Sequence, residues 1–148
     1  MITDDVFHLF MAEDDIEDQQ IFREAIASID GNLNITMFSN GIDLLQALRT
    51  SSNTPNVIFL DLFMPKLNGE QTLEKIRAMK HLDNTPVVIF SNEYNIDRIS
   101  DLFEKGANRY LHKPNSFKTL TSALERTIKS IISNTLGGTA IIKYVELP

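Results

Sequence analysis

Five short apolar runs punctuate the chain, and an amphipathic stretch follows each of them. Val6 to Ala12 (interrupted by His8), Asn34 to Phe38, Val57 to Asp61, Val87 to Phe90 and Asn108 to His112 read as strands. Two of them, Val57-Ile58-Phe59-Leu60 and Val87-Val88-Ile89-Phe90, are apolar without alternation, the pattern of a strand buried on both faces. Between the runs the period changes to three and four. Ile16, Ile21, Phe22, Ala25, Ile26 and Ile29 mark one face of a first helix, Ile42, Leu44, Leu45 and Leu48 a second, and Leu73, Ile76 and Met79 a third from Gly69 to Lys80. Ile96 to Lys105 gives a fourth, closed by Gly106; Ser116 to Thr135 gives a fifth, with Phe117, Leu120, Leu124, Ile128, Ile131 and Ile132 as its stripe. Asp30-Gly31-Asn32, Asn40-Gly41, Asn68-Gly69 and Asp83-Asn84-Thr85-Pro86 supply turns. This alternation predicts an α/β fold, a doubly wound five-stranded parallel sheet with helices on both faces and right-handed crossovers. Residues 1–136 are expected to form the domain. Residues 137–148 are expected as a C-terminal tail, serving as an extra edge strand, a self-association segment or an extension packed on the last helix.

A length of 148 residues suits one domain with a single good core. No stretch approaches the roughly 18 to 20 apolar residues of a membrane span, and Asp4 and Asp5 stand where a secretory leader carries Lys or Arg. A cytoplasmic protein without a membrane partner is expected. Cysteine is absent, which removes disulfides, thiolate metal sites and thiol nucleophiles together. The net charge of −6, with Lys and Arg scattered, leaves no footprint for direct nucleic-acid binding and suggests a cation instead.

Candidate chemistry stands where the apolar runs stop. The first run delivers Glu13 and Asp14, the third Asp61, the fourth Ser91 and the fifth Lys113. In an open parallel sheet the crevice outside the carboxyl ends of the strands collects ligands, so these groups converge there. Each also has a plainer use. Asp15 and Asp61 can cap the turns that follow them, Ser91 can form a turn, Lys113 can be a surface lysine and Tyr110 can pack in the core. Three carboxylates in one partly buried site raise one another's pKa unless a hard divalent cation sits among them, and Mg²⁺ fits that demand. His8, His81 and His112 lack metal-ligand spacing and read as structural or exposed.

Glu13-Asp14, Asp61 followed by Met64-Pro65 and Gly69, Ser91, Gly106-Ala107, Tyr110 and Lys113-Pro114 together resemble the receiver domain of bacterial two-component response regulators, over residues 6 to 135. The resemblance implies the flavodoxin-like strand order 2-1-3-4-5. It also implies phosphoryl transfer from a partner's phosphohistidine to Asp61 with Mg²⁺. Asp14 then matches a direct metal ligand, Glu13 a ligand mostly through water, and the Phe63 carbonyl the remaining protein ligand. Ser91 and Lys113 match the groups that bond phosphoryl oxygens, Ser91 and Tyr110 the switch pair, and Lys113-Pro114 a bond often cis in the family. The implied partners are a sensor histidine kinase or histidine phosphotransfer protein and a downstream protein target, with a dimer through the last helix or tail as an option. The chain is thus expected to be a single-domain response regulator, a phosphoacceptor rather than an enzyme beyond self-phosphorylation and slow self-dephosphorylation. It departs from the common pattern in Ser for Thr at 91 and in Asn92 where a small residue is usual. Phe63 and Glu93 occupy positions that modulate water access, and a bulky ring there predicts a long-lived phosphoryl state.

Two other classes compete. An aspartyl-phosphate phosphatase dependent on Mg²⁺ needs a second Asp two residues after the nucleophile, where this chain has Phe63. A flavodoxin-like cofactor binder needs a Gly-rich phosphate loop, and no helix opens with one.

Overall fold

A computed structural model describes residues 5–50, 52, 54–133 and 140–142 of the protein. Strand and helix alternate as the apolar pattern requires: β1 (Phe7–Ala12), α1 (Ile16–Ser28), β2 (Leu33–Phe38), α2 (Gly41–Arg49), β3 (Val57–Asp61), α3 (Gly69–Arg77), a 3₁₀ turn (Lys80–Leu82), β4 (Val87–Ser91), α4 (Ile96–Glu104), β5 (Arg109–His112), α5 (Phe117–Ser133) and β6 (Ala140–Ile142). The strands are parallel, in the order β2-β1-β3-β4-β5-β6. The first five follow the expected order 2-1-3-4-5. Beyond them, the backbone of β6 pairs with β5 from Arg109 opposite Ala140 to Leu111 opposite Ile142; residues 134–139 and 143–148, and the tail's other readings with them, lie outside the described residues.

The pleat sends alternate residues of the central strands to two cores. Ile58 and Leu60 join Leu44, Leu48, Leu73, Ile76, Ile99 and Leu102, so α2, α3 and α4 cover one face. Val57 and Phe59 join Phe22, Ile26, Leu120, Leu124 and Ile128, so α1 and α5 cover the other. Every residue of β3 and β4 is buried, which accounts for their unbroken apolar runs.

Some predicted faces are narrower than the apolar spacing suggests. Ile16 and Ile21 are exposed on α1 and Phe117 and Ile132 on α5, because each helix buries only the arc turned toward the sheet. Helix α3 stops at Arg77 rather than Lys80, where Met79 turns extended at φ −92° and ψ 108° before the 3₁₀ turn. The end of α4 matches expectation. Gly106, at φ +111°, lets its N–H reach the Phe103 carbonyl and that of Ala107 reach Leu102, a Schellman closure.

Candidate functional site

Register brings the strand ends level. Asp61 lies opposite Phe90, and Ser91 opposite His112. The Lys113 N–H continues the ladder to the Ser91 carbonyl (2.9 Å), and the Glu13 N–H continues it to Phe38 (2.9 Å). Local chemistry then fixes each exit. After β1, Asp15 caps α1 by accepting from the Asp18 N–H (2.9 Å), while its own N–H donates to Glu13 Oε2 (3.2 Å) and the Gln19 side-chain amide donates to the Glu13 carbonyl (2.6 Å). After β3, the chain returns to start α3 on a capping box between Asn68 and Gln71. Gly69 makes that return possible: a Cβ there would lie 2.4 Å from the Asp61 carbonyl oxygen and 2.8 Å from the Leu62 Cα.

The result is an acidic hollow that holds the Lys113 ammonium. Carboxylate oxygens of Glu13, Asp14 and Asp61 lie within 4.8 Å of one another, with Glu13 and Asp61 buried and Asp14 exposed. The Lys113 ammonium stands 3.1 Å from Glu13 Oε1, 3.6 Å from Asp61 Oδ1 and 3.5 Å from Asp18 Oδ2, with the Phe90 ring 5.1 Å away. Burial, and then the hydrogen bond to Asp61, push the Glu13 carboxyl from 4.5 up to about 8 against the pull of Lys113. Burial alone would lower Lys113; Asp61 and Glu13 outweigh it, and the ammonium is raised. Three carboxylate donors, two from the exit of β1 and one from the end of β3, with Asp14 open to solvent, fit a hard divalent cation.

Ser91 is fully buried, and its Oγ accepts from the Glu93 N–H at 3.1 Å. Tyr110 points inward among core residues, its hydroxyl donating to the Glu93 carbonyl, and burial pushes that hydroxyl's pKa up. Phe63 is 58% exposed, with the Arg98 guanidinium 5.9 Å from its ring centroid. No cis peptide bond occurs among the described residues, so the expected cis Lys113-Pro114 bond is trans; even an X–Pro amide prefers trans by about 0.5–1 kcal/mol. The histidines are tied locally: His8 to Thr36 Oγ1, His81 to the Leu48 carbonyl and His112 to the Asn92 carbonyl.

Asp18 beside Lys113, Gln19 on the Glu13 carbonyl and Arg98 beside Phe63 and Glu93 escape sequence reasoning. They sit on helices with ordinary patterns, and only the fold reveals their neighbours. A cavity of about 420 Å³ opens beside Lys113 between α1 and the start of α5, bordered by Ile21, Phe22, Phe90, Pro114 and Phe117. Among the described residues, no helix is long and apolar enough to cross a membrane.

Residues 9–125 match the family described as the response regulator receiver domain. The probable C4-dicarboxylate response regulator DctR of Priestia megaterium is 29% identical over 118 residues, which is 80% of this chain and 50% of that protein; the chain thus spans about half the length of this relative, and 24% of DNA-binding transcriptional regulator NtrC of Escherichia coli. The phosphorylated cyanobacterial phytochrome response regulator RcpA shares the fold, with a TM-score of 0.79 at 24% identity over 88% of this chain and 97% of that one. The Mn²⁺-bound form of response regulator Rcp1 has a TM-score of 0.74 at 25% identity over 96% and 99%.

Proposed function

This chain belongs to the response regulator receiver domain family, and from that premise we propose that Asp61 accepts a phosphoryl group from a partner's phosphohistidine in a two-component phosphorelay. The observation that carries the reading is the buried Asp61 carboxylate sharing one ammonium, Lys113, with Glu13. In the transfer, a carboxylate oxygen of Asp61 forms the new bond to phosphorus while the phosphorus–nitrogen bond breaks, and the imidazole keeps the electron pair. Such transfer depends on positioning and charge neutralisation more than on covalent assistance. Lys113, fixed through the backbone to Ser91, faces the oxygens that gain charge. Asp14, Asp61, Glu13 and the Phe63 carbonyl would hold Mg²⁺, in keeping with the acidic donor set and with the Mn²⁺ bound by Rcp1. When bound, the ion neutralises negative charge on the phosphoryl oxygens.

The carboxylate then carries close to two negative charges and further acceptor oxygens. Ser91 leaves the Glu93 N–H to bond one of those oxygens. That loosens the loop whose Glu93 carbonyl Tyr110 holds, and the face formed by α4, β5 and α5 changes for a downstream protein. The sensor histidine kinase or histidine phosphotransfer protein approaches from the side of α1, where the cavity beside Lys113 is bordered by exposed Ile21 and Phe117. A phosphatase reading is weaker, since Phe63 has no proton to donate where that chemistry needs an acid.

The test is intact mass after incubation with a small acyl phosphate. The wild type gains one phosphoryl mass with Mg²⁺ and none without it, and Asp61→Asn gains none under either condition. Equal labelling of Asp61→Asn would overturn the assignment.

A further inference from the structure

Arg98 touches the segments that leave β3 and β4 just past Asp61 and Ser91. Its guanidinium carbon lies 5.9 Å from the Phe63 ring centroid, its Nε 3.6 Å from Glu93 Oε2, and its Nη2 3.3 Å from Glu70 Oε2 on α3. Phe63 is two residues past Asp61 and Glu93 two past Ser91, on the exits of neighbouring strands β3 and β4. One cation therefore bridges the loop that carries the phosphoacceptor and the loop that follows the hydroxyl. Arg98 Nε and Glu93 Oε2 are both shielded from water, and neither makes a hydrogen bond among the described residues, so charge attraction governs that contact. Glu70 is also engaged by Lys105, which stands 3.0 Å from Glu74, so the clasp ties α3 to α4. The Arg98 N–H donates to the Asn95 cap at 3.1 Å, which seats the residue in the first turn of α4.

We propose that Arg98 is a positioning residue for the phosphorylated state: it holds the Phe63 ring and the Glu93 carboxylate together over the mouth of the hollow, restricts the approach of water and lengthens the life of the phosphoryl group. The inference rests on the phosphoacceptor reading above. The step it slows is hydrolysis. A water oxygen bonds phosphorus, the bond from phosphorus to the Asp61 oxygen breaks, Asp61 leaves as carboxylate, and the water's protons pass to inorganic phosphate and solvent. Loss of Arg98 frees the ring, and it leaves Glu93 unneutralised beside the mouth, where a carboxylate can accept a hydrogen bond from the attacking water.

The full chain is charged with a small acyl phosphate and Mg²⁺, the donor is removed, and loss of the phosphoryl mass is followed in Mg²⁺ buffer. Arg98→Ala loses the group roughly three- to tenfold faster than wild type, on the scale of one cation–π contact plus one partly exposed ion pair. Phe63→Asn is also faster, and the double variant is no faster than the faster single one, because both changes open one contact. Arg98→Lys is intermediate, keeping the charge while losing the planar face, and carries the test should Arg98→Ala fail to fold. Wild-type decay in both Arg98 variants, or effects that multiply independently, would overturn the proposal. A wild type that takes up no phosphoryl group overturns the phosphoacceptor reading and the inference with it; uptake with a lifetime indifferent to Arg98 overturns the inference alone.

Discussion

Glu13 is the residue at which charge, burial and stability meet. Its carboxyl is raised from 4.5 to about 8, so the folded protein keeps a proton that the unfolded chain releases. The stability this proton contributes is complete below 4.5 and is lost as pH climbs toward 8. Lys113 is also raised, but from 10.5, so its contribution changes only above that window. In metal-free buffer, thermal melting of the wild type is therefore expected to lose stability over the Glu13 window, and Glu13→Gln to flatten that loss. Added Mg²⁺ competes with the proton and raises the melting temperature more at the alkaline end. A flat wild-type profile, or one that Glu13→Gln leaves unchanged, would contradict this. The sequence makes Glu13 legible as an acid ending a strand; the proton it holds depends on Asp61, which arrives from another part of the chain.

Elements decide where those residues meet, and not all of their determinants can be read from spacing. The runs at β3 and β4 announce buried strands, and Asn68 with Gly69 announces the turn that returns the chain against the Asp61 carbonyl. Arg77 announces nothing. It is the last residue of α3, yet its guanidinium donates to the carbonyls of Gly106 (2.9 Å), Leu82 (2.7 Å) and Thr85 (2.8 Å) and to Asn108 Oδ1 (2.9 Å). It thus joins the end of α3 to the approaches of β4 and β5, and a charged residue on an amphipathic helix carries no mark of that duty. Replacement by Met would take the guanidinium donor from the Gly106 and Thr85 carbonyls, while the Leu82 carbonyl and Asn108 Oδ1 keep the backbone N–H groups of Thr85 and Val87. Arg77→Met is expected to cost about 2–4 kcal/mol in urea unfolding, against under about 0.5 kcal/mol for an exposed lysine such as Lys75. Equal midpoints for the two variants would refute the structural assignment.

At the scale of the molecule, the parallel sheet joins groups that the chain keeps far apart: Lys113 bonds Glu13 across 100 residues of sequence. Alternation of period makes the doubly wound class legible, because two faces of helices require strands buried on both sides. Strand order comes through the family likeness, since spacing does not encode which strand lies beside which. The sixth strand is only half legible: apolar residues after the double glycine suggest a strand, but not its parallel place beside β5. Convergence of the strand ends on one acidic hollow gives the fold its proposed use, and trapping the acyl phosphate where it forms tests that use most directly. The chain is charged by a phosphohistidine-bearing phosphotransfer domain with Mg²⁺, reduced with borohydride and sequenced by tandem mass spectrometry. The account predicts a reduced residue at position 61 alone, and none when Mg²⁺ is chelated before charging. Reduction at Asp14 or another acid with Asp61 intact, or labelling indifferent to the metal, would contradict it.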